Sequence, residues 1–281
     1  MNFEVILIII IVMASTIGNA DAMEREATIC GPIKERFYFW MWSMNAPSPD
    51  PSRISQFKNI EPTSFTTADN KKLTGYKYNS HNDKNEKTKA KGYLLVALGN
   101  AMIADRMITS FGQFAQSGLD VYIYDYRGYG NSEGKRRLNA IIEDYKEITR
   151  SLNKSYDKKY LYGISLGGVF VSNVIGSEIP FDAAIIDSSP SRLSPHGCPQ
   201  RVDSVENLPK DSSKLFVITG KQDQVLGDDM TQELREVADK NGAKTIHGER
   251  FAHPFMDSNE EIHQERMNLI INFLLESNQN E

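Results

Sequence analysis

Residues 160–168 read Tyr160-Leu161-Tyr162-Gly163-Ile164-Ser165-Leu166-Gly167-Gly168, and the reading of the fold starts there. Tyr160–Tyr162 has the character of a short buried strand. A G-x-S-x-G turn follows, and then a helical pattern from about Gly167 to Ile175. Strand, sharp turn and helix in that order form the setting in which such a serine serves as a nucleophile. The turn is tight enough that a side chain at Gly163 or Gly167 would strike neighbouring backbone. Gly168 lets the helix close onto the sheet. Ser165 is thereby held with its hydroxyl above the sheet edge, beside a helix N-terminus that offers positive potential and free N–H groups.

Outward from this turn, short apolar runs alternate with helical patterns. Strands are expected at Tyr93–Leu98, Val121–Asp125, Ala183–Ile186, Leu215–Thr219 and Lys244–His247. Helices are expected near Arg106–Gly118, Leu138–Leu152, Asp228–Asn241 and Glu260–Leu275. Apolar runs without polar alternation suit strands covered on both faces. Their alternation with helices predicts an α/β fold, a mainly parallel sheet with helices on both sides. Ahead of it, Ser64–Thr67 and Leu73–Tyr78 flank a turn at Ala68–Asn70 and predict a hairpin. The stretch between Ile186 and Leu215 must supply a helix and is too short for a large cap domain, so a rather open site is expected.

A serine hydroxyl is a weak nucleophile and needs a base. Of the five histidines, His253 lies between the last strand and the last helix, where parallel sheets place their sites. His81, His196, His247 and His263 fit less well. The third group should orient the imidazole. Asp223, just beyond Leu215–Thr219, fits the chain order serine, acid, histidine, with Asp187 as the alternative. An oxyanion hole needs two donors. The Leu166 amide is one, and Asn100, with Ala101 as second choice, is the other.

Three motifs make the sequence resemble the α/β-hydrolase superfamily over about Phe65 to Glu276: Gly163–Gly168, Asp125-Tyr-Arg-Gly-Tyr-Gly-Asn-Ser132, and Gly220-Lys-Gln-Asp223 with His253 beyond it. Within it, the chain looks most like serine esterases and acyl-protein-thioesterase-like members. The resemblance implies hydrolysis of a carboxylic ester or thioester through an acyl-serine, without a cofactor. It also implies that the Asp125–Ser132 glycines shape a loop beside the pocket. Acyl transfer, peptide hydrolysis and a non-catalytic binding role on the same fold are the alternatives. Two positions depart from the family pattern: Leu98-Gly99 replaces His-Gly at the oxyanion loop, and Ala252-His253 replaces Gly-His.

The rest of the composition narrows the reading. A net charge of −5 over 281 residues gives no basis for nucleic-acid binding. Val5–Ala14 is apolar, too short to span a bilayer, and followed by Ala20-Asp21-Ala22. Residues 1–22 read as a signal peptide, and the protein as exported. An uncleaved membrane anchor is the alternative, and membrane contact is expected only through this N-terminal segment. Residues 23–60 form a lead-in and 61–281 the hydrolase domain. The lead-in carries Phe37-Tyr-Phe-Trp-Met-Trp42, read as packed on the domain, with a membrane-interface or substrate-contact patch as the sharper reading. Cys30 and Cys198 can form a disulfide if their Cα atoms come close enough. No metal site is indicated. The expected partner is a small-molecule or acylated substrate.

Overall fold

The apolar runs become strands of one eight-stranded sheet in a computed structural model that describes residues 24–276. The strands are β1 (Ile60–Thr66), β2 (Lys72–Tyr78), β3 (Gly92–Ala97), β4 (Leu119–Tyr124), β5 (Lys158–Ile164), β6 (Ala183–Asp187), β7 (Leu215–Gly220) and β8 (Lys244–Gly248). Their spatial order is β1-β2-β4-β3-β5-β6-β7-β8. β2 runs antiparallel to β1 and β4, and every other pairing is parallel. The chain leaves β3 for β4 on one side and then crosses to β5 on the other. The crevice beyond the carboxyl ends of β3 and β5 is therefore the topological switch point, where open α/β sheets bind ligands.

The two-residue period of a strand sorts β3 between two cores. Tyr93, Leu95 and Ala97 enter one, and Leu94 and Val96 enter the other. The first core is closed by α4 (Leu138–Leu152), α5 (Leu166–Ile175) and α6 (Asp228–Lys240). In α4, Leu138, Ile141, Ile142, Tyr145, Ile148 and Leu152 recur at three- and four-residue steps and form one buried stripe. α5 is buried along its whole length, which its nearly uniform apolar sequence permits. The second core is closed by α2 (Ala104–Met107), α3 (Gly112–Gln116) and α7 (Glu260–Glu276).

Two expectations need correction. The helix expected over Arg106–Gly118 is interrupted by a 3₁₀ turn at Ile108–Phe111. A three-residue turn aligns positions i and i+3, and it sends both Ile108 and Phe111 into the core. Between Ile186 and Leu215 there is no α-helix, only 3₁₀ turns at Ser194–His196, Gln200–Val202 and Val205–Asn207. Pro190, Pro195, Pro199 and Pro209 break up any longer run.

The lead-in is tied into the body of the molecule. It contains a helix, α1 (Lys34–Ser43), and a 3₁₀ turn at Pro51–Ile54 capped by Asp50. Cys30 and Cys198 are bridged, with Cα atoms 3.9 Å apart. The Glu35 carboxylate, buried on α1, accepts the amides of Ile29 (2.6 Å), Cys30 (2.9 Å) and Leu138 (3.0 Å), and so also caps α4. Arg127, fully buried, donates to both oxygens of Asp69 and of Asp144, and Arg25 and Glu26 of the lead-in join the same network. The signal-peptide reading of residues 1–22 lies outside the described residues. No helix among the described residues is long and apolar enough to cross a membrane.

Two stability measurements follow. The bridge closes a loop of 168 residues, so Cys198→Ser should cost about 2–5 kcal/mol in urea unfolding. Burial alone would raise the Asp69 carboxyl, but hydrogen bonds from Arg127 and Thr67 outweigh it and bring the pKa down to about 2. A carboxyl lowered by folding stabilises above its unfolded pKa, about 4, and loses that contribution as pH falls through the folded value. Asp69→Asn should therefore weaken the protein at pH 7, with the gap to wild type closing as urea unfolding is repeated down to pH 2.

Candidate active site

Ser165 sits at the junction of β5 and α5 with φ 53° and ψ −121°, a strained conformation for a residue with a side chain. Its surroundings leave no alternative turn. A Cβ on Gly163 would lie 2.6 Å from the Gly168 Cα, and one on Gly167 would lie 2.0 Å from the Ala97 carbonyl oxygen. On Gly168 it would meet the Ser189 side chain at 2.4 Å, so the closeness of helix and sheet depends on that glycine as well.

The histidine and the acid arrive on the loops after β8 and β7. His253 Nδ1 donates to Asp223 Oδ2 at 2.9 Å, which leaves Nε2 as the free acceptor. Asp223 Oδ1 accepts the amides of Val225 (2.8 Å) and Leu226 (2.9 Å). Burial pushes the Asp223 carboxyl up, but the hydrogen bonds from His253 and these amides hold it below the usual carboxylate range. Asp187, the alternative acid, is not the imidazole's hydrogen-bond partner. It is fully buried at the end of β6, where Tyr162 donates to its Oδ2 at 2.9 Å, and burial pushes its carboxyl up. Its backbone carbonyl accepts the Ser165 amide at 2.8 Å while its carboxylate feels the charge of His253, so it links the elbow to the histidine loop. The Ser165 hydroxyl itself makes no hydrogen bond among the described residues.

The loop after β3 comes alongside. A Cβ on Gly99 would lie 3.4 Å from that of Ser165. Neither the Asn100 amide nor the Leu166 amide has an acceptor among the described residues, and the first turn of a helix leaves such an amide free. Ala101, next to Asn100, has φ 60°. The Asp125–Ser132 motif braces this loop at both ends. The Tyr126 hydroxyl donates to the Leu98 carbonyl, and Asp125 Oδ1 accepts the Ala104 amide at 2.7 Å. The motif's glycines do shape its loop, Gly128 and Gly130 having φ of 70° and 52°, and its aromatic and acidic side chains add the bracing.

A cavity of about 320 Å³ opens from Ser165. Phe39 and Met41 of α1, Leu138, Leu193, Leu226 and Met230 give it an apolar wall, and Cys30 and Cys198 lie in that wall too. The expected open site is therefore corrected: α1 stands over it, and Ser165 is only 8% exposed. The sequence reading missed α1 as a pocket wall. Its one signal was the Phe37–Trp42 run, which the substrate-contact reading had singled out.

The elbow, the imidazole–carboxylate pair and the switch-point cavity together match one known architecture. A sequence model described as serine aminopeptidase, S33, matches residues 88–202. The chain has the α/β-hydrolase fold. Among solved α/β-hydrolase-fold structures, an esterase of Pyrococcus furiosus superposes with a TM-score of 0.63 at 17% identity, covering 82% of this chain and 96% of that one. Esterase 2 of Thermogutta terrifontis gives 0.60 at 16%, covering 79% and 93%. An acylaminoacyl peptidase of Pyrococcus horikoshii gives 0.55 at 13%, with 78% of this chain against 42% of that one. An uncharacterized membrane protein of Saccharomyces cerevisiae is 42% identical over 59 residues, and that match spans only 21% of its length.

Proposed function

We propose that the protein is a serine hydrolase that cleaves a carboxylic ester or thioester, with Ser165 as nucleophile, His253 as base and Asp223 as orienting acid. The observation that carries this reading is the apolar cavity opening from Ser165, with the Asp223-bonded imidazole of His253 in the adjoining groove that shares Val225. In the first half-reaction Ser165 Oγ attacks the acyl carbon and its proton passes to His253 Nε2. The oxyanion takes hydrogen bonds from the Leu166 and Asn100 amides. The imidazolium then protonates the departing alcohol or thiol. Water repeats the sequence on the acyl-serine and releases the acid. No serine–imidazole hydrogen bond is formed among the described residues, and bonds of this kind commonly tighten when substrate binds. An esterase 2 of Thermogutta terrifontis was captured phosphoramylated by tabun, which is in keeping with a nucleophilic serine here.

The cavity favours an acyl group over a peptide amino terminus. An aminopeptidase needs a carboxylate free to hold an α-ammonium. Glu35 is the carboxylate in the cavity wall, and its oxygens are already taken by three backbone amides. A panel of p-nitrophenyl esters tests the assignment. Chains of several carbons should exceed acetate in kcat/KM, and absence of turnover on every member would reject it. Leu193→Trp, which fills the cavity, should lower kcat/KM for the longest accepted chain at least about tenfold while sparing acetate. Export, through cleavage or retention of residues 1–22, fits the oxidising compartment that the Cys30–Cys198 bridge needs.

A further inference from the structure

Seven large apolar side chains are exposed among the described residues: Ile33, Phe37, Trp40, Met41, Met44, Val225 and Met256. The first five fall at i, i+4, i+7, i+8 and i+11, a single stripe along the outer side of α1 and its two flanking residues. This stripe is well exposed, with Phe37 at 52%, Trp40 at 58% and Met44 at 64%. The opposite face of the helix carries Glu35 and Phe39, both buried. The other two side chains border the site. Val225 lines both the Ser165 cavity and the neighbouring groove that holds His253, and Met256 lines that groove. The exposed apolar surface is thus gathered around the mouth of one cavity.

We propose that this rim docks on a lipid bilayer, so that an acyl chain passes from the membrane into the Ser165 cavity without crossing water. Three observations select a bilayer over another occupant. The stripe mixes tryptophan, phenylalanine and methionine on a helix lying along the surface, the composition that settles at a headgroup boundary. The exposed charges of α1, Lys34 and Arg36, are both cationic, and its acid, Glu35, faces inward. The same end of the chain carries the apolar run Val5–Ala14, outside the described residues. The Cys30–Cys198 bridge pins the start of α1 to the wall of the cavity, so that rim and cavity face the bilayer together. The route for the acyl chain rests on the hydrolase reading; the docking itself does not.

Both tryptophans of the chain, Trp40 and Trp42, lie in α1 and report on this helix alone. The full chain is mixed with phosphatidylcholine–phosphatidylserine vesicles containing brominated lipid. Quenching of tryptophan emission is the expected result, and Phe37→Ser combined with Met44→Ser should weaken vesicle affinity roughly tenfold. The double variant should keep turnover of a soluble short-chain ester and lose most turnover of a vesicle-embedded fatty-acyl ester. Ser165→Ala should still be quenched, which separates failure of docking from failure of catalysis. Vesicle binding without quenching would place the contact elsewhere in the chain and overturn the proposal. A dimer abolished by the double variant, with no vesicle binding, would overturn it in favour of a contact between copies.

Discussion

Ser165→Ala is expected to lower kcat on the best p-nitrophenyl ester by about 10⁴–10⁶-fold with little change in KM. The size of the loss follows from the geometry. The elbow holds this hydroxyl in a strained turn against the helix N-terminus, and among the described residues no other serine shares that setting. Ser188 and Ser189, which follow β6, are fully buried and packed behind the elbow. Without Oγ, only the oxyanion donors and the binding surface remain, and they act on a water molecule that nothing orients. Unchanged circular dichroism and urea midpoint would show that the loss is chemical. A drop of less than tenfold would exclude Ser165 as nucleophile.

Asp223→Asn should cost about 10⁴-fold in kcat at neutral pH. In the wild type, Oδ1 accepts two backbone amides and Oδ2 accepts His253 Nδ1–H. An asparagine must leave its oxygen with the two amide donors, which turns its NH₂ toward the imidazole. Nδ1 then becomes an acceptor, the proton moves to Nε2, and the ring can no longer take the serine proton. Asp187→Asn removes a carboxylate that makes no hydrogen bond to the ring and should lower kcat less than about tenfold. Comparing kcat for the two variants on one substrate tests which carboxylate orients the base; equal losses would contradict the assignment.

The central sheet could be read from the sequence because β3 to β7 are apolar runs bounded by turns, and strands covered on both faces need little else. The elbow was equally open to reading, since its three glycines are demanded by contacts below 3 Å. The places of Asp223 and His253 after β7 and β8 single them out in the sequence, and the two side chains share a hydrogen bond. What could not be read was whatever depends on contacts distant in sequence. The helix α1 has no side-chain cap, and the unbroken apolar run Phe37–Trp42 puts apolar residues on both of its faces, which hides the helical spacing of its outer stripe. Its place over Ser165 depends on Glu35 meeting Leu138 and on Cys30 meeting Cys198, pairings that no local pattern encodes. Arg127 looked like part of a glycine loop. Its role as the hub of a buried ion network appears only once Asp69 and Asp144 converge on it.

The account stands on one serine being the nucleophile, and covalent labelling reads that directly. The full chain treated with a fluorophosphonate and digested should yield a single modified peptide with the adduct on Ser165. His253→Ala should label far more slowly, and Ser165→Ala not at all. An adduct on another residue, or equal labelling of Ser165→Ala, would contradict the account.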